Sequence, residues 1–402
     1  MNWVQQEKLF FIPVAKRLPV EVVRGDGVFL YDRRGRAYLD FLSGIAVNAL
    51  GYRHPRVMER IAKQLERNAH LSHFFIQDIQ LEFSRKLLKL SGFSRVFLTN
   101  SGTESIEGLL KLVKKWGRQQ GRGKIIAFQN SFHGRTLGAL SITGQEKYQK
   151  NFRPLLPDVQ ILPFNDGRSL REAADEKTSA IFLEIIQGEG GIRPVNREFV
   201  AEIKRAQNSG VLIVADEIQT GAGRTGTFLA GEQFGLKPDL VAMAKAIGGG
   251  LPLGAFLVSE PFASVFDRGE HGSTFGGNPV ACAAGLAVLE ELADHGLLKQ
   301  VAENGKYLGA KLAALQQTFP RLITEVRGAG LMYGVQLAIN APGCVELGLK
   351  EGIILNITGG GSVLRLVPPL IITRDEIDLG MERIARVLSR LESPSPSQRS
   401  DT

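Results

Sequence analysis

Short apolar runs recur along the middle of the chain. Each is apolar on successive positions and rich in β-branched or large side chains, which is typical of strands covered on both faces. The runs are RVFLTN (95–100), KIIAFQN (124–130), AIFLEIIQG (180–188), VLIVADE (211–217), DLVAMAK (239–245) and GAFLVSE (254–260). Segments of helical periodicity, such as 104–119 and 200–208, lie between them. The alternation predicts an α/β fold with a mostly parallel sheet.

Beyond residue 280 the pattern changes. Helices are predicted over 281–293, 299–316 and 375–391, and strands over 326–337, 352–357 and 363–367. These elements indicate a smaller α+β unit. The stretch 393–402 is rich in Ser and Pro, and we expect it to be a disordered tail.

Composition narrows the classes of function. The 402 residues are 44% hydrophobic and 22% charged, as in soluble globular proteins. No apolar run approaches ~18 residues and the N-terminus lacks the apolar core of a signal peptide, so neither a membrane span nor secretion is expected. The two cysteines, Cys282 and Cys344, exclude a disulfide scaffold and favour a reducing, cytoplasmic location. The six histidines show no metal-ligand spacing, so no metal site is expected.

The net charge of +8 raises the alternative of a basic nucleic-acid-binding protein. The densest basic stretch, 111–124, is explained by a solvated helix face that runs into a basic loop. Elsewhere acids and bases are interspersed, so no nucleic-acid partner is predicted.

Polar residues concentrate where the predicted strands end. Because the ligand crevice of an open α/β sheet lies outside the carboxyl ends of its strands, we expect these residues to share one site. In chain order they are Ser101-Gly102-Thr103, the segment 131–136 with Phe132 and Arg135, then Glu184, Gln187 and Glu189, then Asp216-Glu217, and finally Lys245.

Two of these residues could serve a cofactor that bonds to a lysine. Lys245 ends an apolar strand, where lost solvation lowers the pKa of an amine and suits it to form a Schiff base. Asp216 could pair with a protonated pyridine nitrogen and so keep a cofactor an electron sink. Each has a plain alternative, since Lys245 could extend to solvent and Asp216 could cap a helix or join a structural ion pair.

The turn at Ser101-Gly102-Thr103 opens a predicted helix, and the free N–H groups of a helix start favour a phosphate. Thr103 could also simply cap that helix. Phe132 could stack on a cofactor ring or only pack.

Residues 221–226 match GxGxxG after a strand and offer a second interpretation, a nicotinamide-dependent dehydrogenase. The context contradicts it. Four residues separate Asp216 from the first glycine, Asp239 precedes a strand, and no clean apolar helix follows.

Together the motifs resemble those of the class III, fold-type I aminotransferases, which use pyridoxal 5′-phosphate. The resemblance spans about residues 22–388 and rests on NSGTE (100–104), FHGRT (132–136), IQGEGG (186–191), ADEIQTGAGRTG (215–226), AKAIGGGLPLGA (244–255), GSTFGGNPVACAA (272–284) and RLVPPLIIT (365–373). It implies a large cofactor-binding domain over 61–280, with a mostly parallel central sheet. A small α+β domain would form from both chain ends, 1–60 and 281–392, and a homodimer would share its active sites.

The resemblance also implies a role for each matching residue. Lys245 and Asp216 would be catalytic, the first by bonding to the cofactor and moving a proton, the second by pairing with the ring nitrogen. Further cofactor contacts would come from Ser101, Gly102, Thr103, Phe132, His133, Glu217, Ile218 and Gln219, with Thr274 reaching the phosphate of the neighbouring subunit. Arg135 and Ser273 would contact the amine donor. Arg365, with Glu189 as its switchable partner, would take the α-carboxylate of 2-oxoglutarate or glutamate.

Segments 40–55 and 272–279 are most similar to family members that act on N2-acetylornithine. The expected reaction transfers the amine of that substrate to 2-oxoglutarate and yields N-acetylglutamate 5-semialdehyde and glutamate, a step of arginine biosynthesis. Succinylornithine, an acyl-lysine, ornithine and 4-aminobutyrate are alternative donors, although the lack of a tyrosine in 43–47 favours an acylated amine over free ornithine. Departures at Ile106, Ile185 and His73 remove no catalytic group, and the run 71–76 could alter donor specificity.

Overall fold

The computed structural model describes residues 3–14 and 17–392. The stretch 393–402, for which we predict disorder, lies outside the described residues. The strands are β1 (Val22–Asp26), β2 (Phe29–Asp32), β3 (Ala37–Asp40), β4 (Arg95–Thr99), β5 (Lys124–Phe128), β6 (Val159–Leu162), β7 (Thr178–Glu184), β8 (Ile186–Gln187), β9 (Arg193–Pro194), β10 (Leu212–Asp216), β11 (Leu240–Met243), β12 (Gly254–Val258), β13 (Ile323–Ala329), β14 (Met332–Leu337), β15 (Ile353–Ile354), β16 (Asn356–Thr358) and β17 (Val363–Leu366).

The helices are α1 (Trp3–Phe10), α2 (Ser43–Ala46), α3 (Pro55–Arg67), α4 (Asp78–Ser91), α5 (Gly102–Gln119), α6 (Leu137–Ser141), α7 (Glu146–Gln149), α8 (Gly167–Ala173), α9 (Arg197–Asn208), α10 (Pro279–Asp294), α11 (Leu297–Thr318), α12 (Gly343–Glu351) and α13 (Arg374–Glu392). Short 3₁₀ turns lie at Ala230–Glu232, Lys245–Gly248, Glu260–Phe262 and Gly359–Gly361. Within the described ranges, no helix is long and apolar enough to span a membrane.

A seven-stranded sheet forms the centre of the molecule, in the order β4-β12-β11-β10-β7-β5-β6. The strands of β11-β10-β7-β5-β6 are parallel, whereas β12 is antiparallel to both β11 and β4. The connection from β11 to β12 is too short for a crossover helix, so β12 can only return antiparallel. The predicted α/β fold with a mostly parallel sheet is confirmed.

Alternate residues of these strands enter two different apolar clusters. Ile181 and Ile213 pack into the larger one, whereas their neighbours Phe182 and Leu212 pack with helix α5 on the opposite face. Burial on both faces explains why the strands are apolar on successive positions.

The C-terminal part forms a second sheet, in the order β13-β14-β17-β16, and all its pairings are antiparallel. The single strand predicted over 326–337 is wrong, because Gly330 at φ +55° makes a tight turn between β13 and β14. Near the N-terminus, β3 pairs in parallel with β15, so Leu39 lies beside Ile353. The two chain ends therefore meet, while domain limits at 60, 280 and 392 stay a prediction.

Candidate active site

A cavity of about 460 Å3 opens at the carboxyl ends of the central strands. It is lined by most of the residues predicted for the site, namely Ser101, Gly102, Thr103, Phe132, His133, Arg135, Glu189, Asp216, Ile218, Gln219 and Lys245. These residues come from five separate strand ends, which the parallel sheet brings to one edge. Four predicted residues, Glu217, Ser273, Thr274 and Arg365, are not part of the lining.

Lys245 follows β11 and opens the 3₁₀ turn Lys245–Gly248. Its φ of +51° is unusual for a residue with a side chain and is held by the surrounding turn. Burial, and then the positive charge of Arg365, lowers the pKa of Lys245 to about 8, against smaller opposing effects of nearby carboxylates. An amine with this pKa is partly unprotonated near neutral pH, so it can act as a nucleophile or a base.

Asp216 ends β10, and both of its carboxylate oxygens have partners. One oxygen accepts a hydrogen bond from the backbone N–H of Ile218 at 3.0 Å, and the other lies 2.8 Å from Nδ1 of the fully buried His133. Burial alone would lower the pKa of His133, but the hydrogen bond and charge of Asp216 and the charge of Glu184 raise it overall. His133 therefore orients the carboxylate of Asp216 rather than facing a ligand with that nitrogen.

Glu184 is a cavity residue to which the sequence analysis assigned no role. It lies beside Asp216 on the adjacent strand β7. Its carboxylate accepts hydrogen bonds from the backbone N–H groups of Phe132 (2.9 Å) and Gly188 (3.0 Å), and burial raises its pKa to about 7. Glu184 thus ties together the loops that carry Phe132 and Glu189. The sequence feature that could have pointed to Glu184 is a carboxylate inside an otherwise apolar strand.

The turn before α5 suits a phosphate. Ser101 caps the helix by accepting a hydrogen bond from the N–H of Glu104 at 3.3 Å. A Cβ on Gly102 would lie 2.7 Å from the side chain of Ile218, so only glycine leaves this approach open. The hydroxyls of Thr103 and Thr136 are 2.9 Å apart, which connects this turn to the loop of Arg135.

The polar atoms of the cavity fit a pyridine ring that carries a phosphate. Gln219 lines the cavity, and its buried Oε1 has no hydrogen-bond partner among the described residues. Asp216 offers a fixed carboxylate, Lys245 an amine, and Gly102 the start of a helix whose first N–H groups need an acceptor. This donor and acceptor set matches the ring substituents of pyridoxal 5′-phosphate.

Arg135 contacts aromatic faces instead of acids. Its Cζ lies 3.8 Å from the ring centroid of Tyr148 and 5.4 Å from that of Phe132. Throughout the described chain it has no hydrogen-bond or ion-pair partner, and its side chain is exposed. The guanidinium is therefore free to bind the carboxylate of a ligand. The sequence analysis missed Tyr148, which lies in a polar helix with no motif around it.

Arg365, unlike Arg135, is buried and already has polar partners. It is 2% exposed in β17, and its guanidinium forms an ion pair with Glu189. Nε and Nη2 also donate to Oδ1 of Asn356 in β16, at 3.0 and 2.7 Å. Glu189 lines the cavity and so stands between Arg365 and any ligand. Asn356, another residue that the motifs did not reveal, fixes the guanidinium from behind.

The structure does not bring Glu217 or Thr274 to the cavity. The carboxylate of Glu217 accepts hydrogen bonds from the Thr220 hydroxyl and the Gly231 N–H, because successive side chains after β10 point in different directions. Thr274 is exposed on the surface. Ser273 touches the site indirectly, since its hydroxyl accepts a hydrogen bond from Asn100 at 3.1 Å and Asn100 lines the cavity.

Comparison with known proteins identifies the family to which the chain is similar. The family model for aminotransferase class-III matches residues 11–388. Acetylornithine aminotransferase of Caldanaerobacter subterraneus is 43% identical over 96% of this chain and 99% of its own, and that of Aquifex aeolicus is 44% identical over 92% and 98%.

Solved structures agree in fold. Ornithine aminotransferase from Toxoplasma gondii superposes with a TM-score of 0.93 at 31% identity, covering 98% of this chain and 96% of its own. N-acetylornithine aminotransferase from Stenotrophomonas maltophilia superposes with a TM-score of 0.83 at 32% identity, covering 98% and 100%. The cavity, its lysine and its carboxylates together with these similarities place the chain in the class-III aminotransferases, enzymes that depend on pyridoxal 5′-phosphate.

Proposed function

We propose that this chain transfers the δ-amino group of N2-acetylornithine to 2-oxoglutarate and yields N-acetylglutamate 5-semialdehyde and glutamate, as a cytoplasmic step of arginine biosynthesis. The curated relatives that cover nearly the whole chain carry the name acetylornithine aminotransferase. Both cysteines are free and buried, which suits a reducing compartment.

The proposal rests mainly on one observation. Two arginines lie in or next to the same cavity, one without an acidic partner and the other paired with a glutamate. Arg135 presents a guanidinium without a polar partner in the described part of the chain, whereas the guanidinium of Arg365 is neutralised by Glu189. The amine donor must place its δ-carbon at the reaction centre, and 2-oxoglutarate must place its α-carbon there. Arg135 takes the α-carboxylate of the donor, and Arg365 takes that of 2-oxoglutarate once Glu189 has moved away.

The charges of the lining disfavour free ornithine. Its α-ammonium would need a carboxylate, and the three carboxylates of the lining are already engaged: Glu184 with backbone N–H groups, Asp216 with His133, and Glu189 with Arg365. The side chain of Val47, at the cavity wall, is apolar and offers no acceptor for an ammonium. An acylated and therefore neutral α-nitrogen avoids the cost of an unpaired buried charge.

When bound, pyridoxal 5′-phosphate supplies the carbonyl that accepts an amino group and the ring that withdraws electrons from the reacting carbon. Lys245 takes the proton from the δ-carbon of the donor onto Nζ and would pass it on to the cofactor, because a pKa of about 8 lets the amine exchange protons near neutral pH. Asp216, held by His133, would pair with the ring nitrogen, and the turn Ser101-Gly102-Thr103 would hold the phosphate.

Glu189 controls which carboxylate Arg365 meets. While the pair is closed, a donor gains nothing by presenting its α-carboxylate to Arg365, so it binds through Arg135. The carboxylate of 2-oxoglutarate can replace Glu189, whose side chain is 26% exposed and so can leave the pair. Selectivity then rests on a charge that can be moved as well as on attraction.

The proposal includes a homodimer. Phe74 and Ile76 are 93% and 90% exposed, and Phe275 is 58% exposed. The two segments touch, since Nε2 of His73 lies beside the carbonyl oxygen of Ser273. A second copy of the chain covers this apolar surface and places Thr274 near the neighbouring phosphate. Light scattering of the purified protein should give twice the mass of one chain, and a monomer would contradict this part of the proposal.

A panel of amine donors tests the reaction. The holoenzyme is mixed with 2-oxoglutarate and one of N2-acetylornithine, succinylornithine, ornithine or 4-aminobutyrate, and glutamate is measured. We expect the highest kcat/KM with N2-acetylornithine. A higher value for ornithine or 4-aminobutyrate would refute the proposed donor.

Arg135→Lys tests the donor contact. Lysine cannot reproduce a bidentate guanidinium–carboxylate bond, and a charge-assisted bond contributes ~1.5–3 kcal/mol, so kcat/KM for N2-acetylornithine should fall ~10- to 150-fold. N-acetylputrescine is the same amine without the α-carboxylate and serves as the control donor. Equal losses for the two donors would mean that Arg135 only supports the fold.

A further inference from the structure

We propose that Tyr148 is a positioning residue for the donor carboxylate, because its ring face holds the guanidinium of Arg135 in place while the N–H groups of that guanidinium stay free. This inference rests on the proposed function in one respect, that Arg135 takes the α-carboxylate of the amine donor. Tyr148 itself does not line the cavity.

Arg135 needs such a support. Its side chain is long and exposed, and in the described chain it has neither a carboxylate nor a carbonyl partner to fix its orientation. A flexible arginine loses conformational entropy when it binds a carboxylate, which weakens binding. An acidic partner would fix the side chain but would occupy the same N–H groups as the substrate. An aromatic face avoids this conflict, since it attracts the cation through the plane of the guanidinium.

The geometry matches this role. Cζ of Arg135 lies 3.8 Å from the ring centroid of Tyr148, which is a stacking distance. The ring of Phe132 meets the ring of Tyr148 edge to face, with centroids 6.1 Å apart and an interplanar angle of 81°. Phe132 lines the cavity, so the Tyr148 ring connects the guanidinium to the wall on which a cofactor ring would rest.

Tyr148 is itself firmly held. It lies in the short helix α7 between two buried glutamines. Nε2 of Gln149 donates to the carbonyl oxygens of Leu140 and Thr143, both at 2.9 Å, and Nε2 of Gln145 donates to that of Ser131 at 3.0 Å. The helix is thus tied to the start of the loop that carries Phe132 and Arg135.

The ring face, and not the hydroxyl, makes the contact. No hydrogen bond of the Tyr148 hydroxyl to a described residue is present, so phenylalanine at this position should keep the function. Lys147 also lies over the ring, with Nζ 4.7 Å from the centroid. A test must therefore separate an effect through Arg135 from one through Lys147.

The experiment compares Tyr148→Leu with Tyr148→Phe in the holoenzyme, with N2-acetylornithine and N-acetylputrescine as donors. For Tyr148→Leu we expect KM for N2-acetylornithine to rise ~2- to 30-fold, the range of a cation–π contact converted at 1.4 kcal/mol per tenfold. We expect kcat to change less than twofold and N-acetylputrescine kinetics to stay unchanged. N-acetylnorvaline, which lacks the δ-amine, should show the same rise in its inhibition constant and so report binding without turnover.

Two further variants complete the design. Tyr31→Leu is the matched control. It removes a ring that lies 4.1 Å from Cζ of Arg24, neither residue lines the cavity, and the kinetics of neither donor should change. In an Arg135→Ala background Tyr148→Leu should change kcat/KM less than twofold, which assigns the effect to Arg135 and not to Lys147. If Tyr148→Leu does not fold, Tyr148→Met takes its place.

Several results would overturn the proposal. Equal losses for both donors would mean that Tyr148 only supports the fold, and an equal loss in Tyr148→Phe would assign the effect to the hydroxyl. An unchanged KM in Tyr148→Leu would show that the ring does not position Arg135. If the wild-type enzyme does not accept N2-acetylornithine, the proposed function fails, and ornithine with putrescine then serves as the donor pair that tests Tyr148.

Discussion

Glu189→Gln gives the sharpest test of how one cavity accepts two substrates. The substitution keeps the size of the side chain and removes the charge that neutralises Arg365. Arg365 is 2% exposed, and its remaining partner, Oδ1 of Asn356, is neutral. The variant should therefore hold a buried cation that attracts any α-carboxylate, including that of a donor in the wrong orientation.

The size of the effect follows from the burial of the pair. Removing one partner of a fully buried ion pair costs ~3–5 kcal/mol. Glu189 is 26% exposed and the bonds to Asn356 remain, so we expect ~1–3 kcal/mol here. At 1.4 kcal/mol per tenfold, this free energy corresponds to a change of ~5- to 150-fold in the preference for glutamate over N2-acetylornithine.

Stopped-flow absorbance of the cofactor measures each half reaction separately. We expect Glu189→Gln to leave the glutamate and 2-oxoglutarate half reaction intact or faster and to slow the N2-acetylornithine half reaction. Glu351→Gln is the control, because Glu351 forms ion pairs with Arg386 and Arg390 between α12 and α13 and does not line the cavity. If both half reactions fall by the same factor in Glu189→Gln, the pair is a fixed brace and the reasoning is refuted.

Three other predictions concern the buried ionisable groups. Lys245→Ala should abolish turnover without changing the circular dichroism spectrum. In the wild-type apoenzyme, the rate of pyridoxal 5′-phosphate uptake should rise with pH and level off above about 8, where Lys245 loses its proton. A rise that continues to pH 10 would contradict the lowered pKa of Lys245. Asp216→Asn removes a buried charge that would pair with the ring nitrogen, so steady-state kcat should fall ~10²- to 10³-fold, and a loss below about threefold would make Asp216 structural. Burial raises the pKa of Glu217 from 4.5 to about 7, so the folded chain keeps a proton at this group that the unfolded chain loses. Glu217 alone should therefore lower wild-type stability by at most ~3 kcal/mol as the pH rises through that window. Glu217→Gln should flatten this decline in urea titrations at pH 5 and 8, and an unchanged slope would show that Glu217 does not cause it.

The sequence alone determined the layers of the fold and the chemistry at its edge. Burial on both faces makes the central residues of β7, β10 and β11 apolar on successive positions, and this local pattern can be read from the sequence. The polar residue that ends each strand stands out against that background. Because parallel strands end at one edge of a sheet, Asp216 and Lys245 could be expected at one site before any contact was known.

Other features depended on which segments the tertiary structure brings together. Glu189 and Arg365 are 176 residues apart in the chain, and they pair because β17 lies near the turn between β8 and β9. Nothing in the sequence around Tyr148 shows that its ring lies on Arg135. Likewise, motif similarity grouped Glu217 with Asp216, although the backbone turns between them and directs one carboxylate to the cavity and the other to Gly231. Hydrophobic periodicity shows on which face of its own helix or strand a residue lies. Contacts between distant segments depend on strand order and side-chain direction, which only the folded chain fixes.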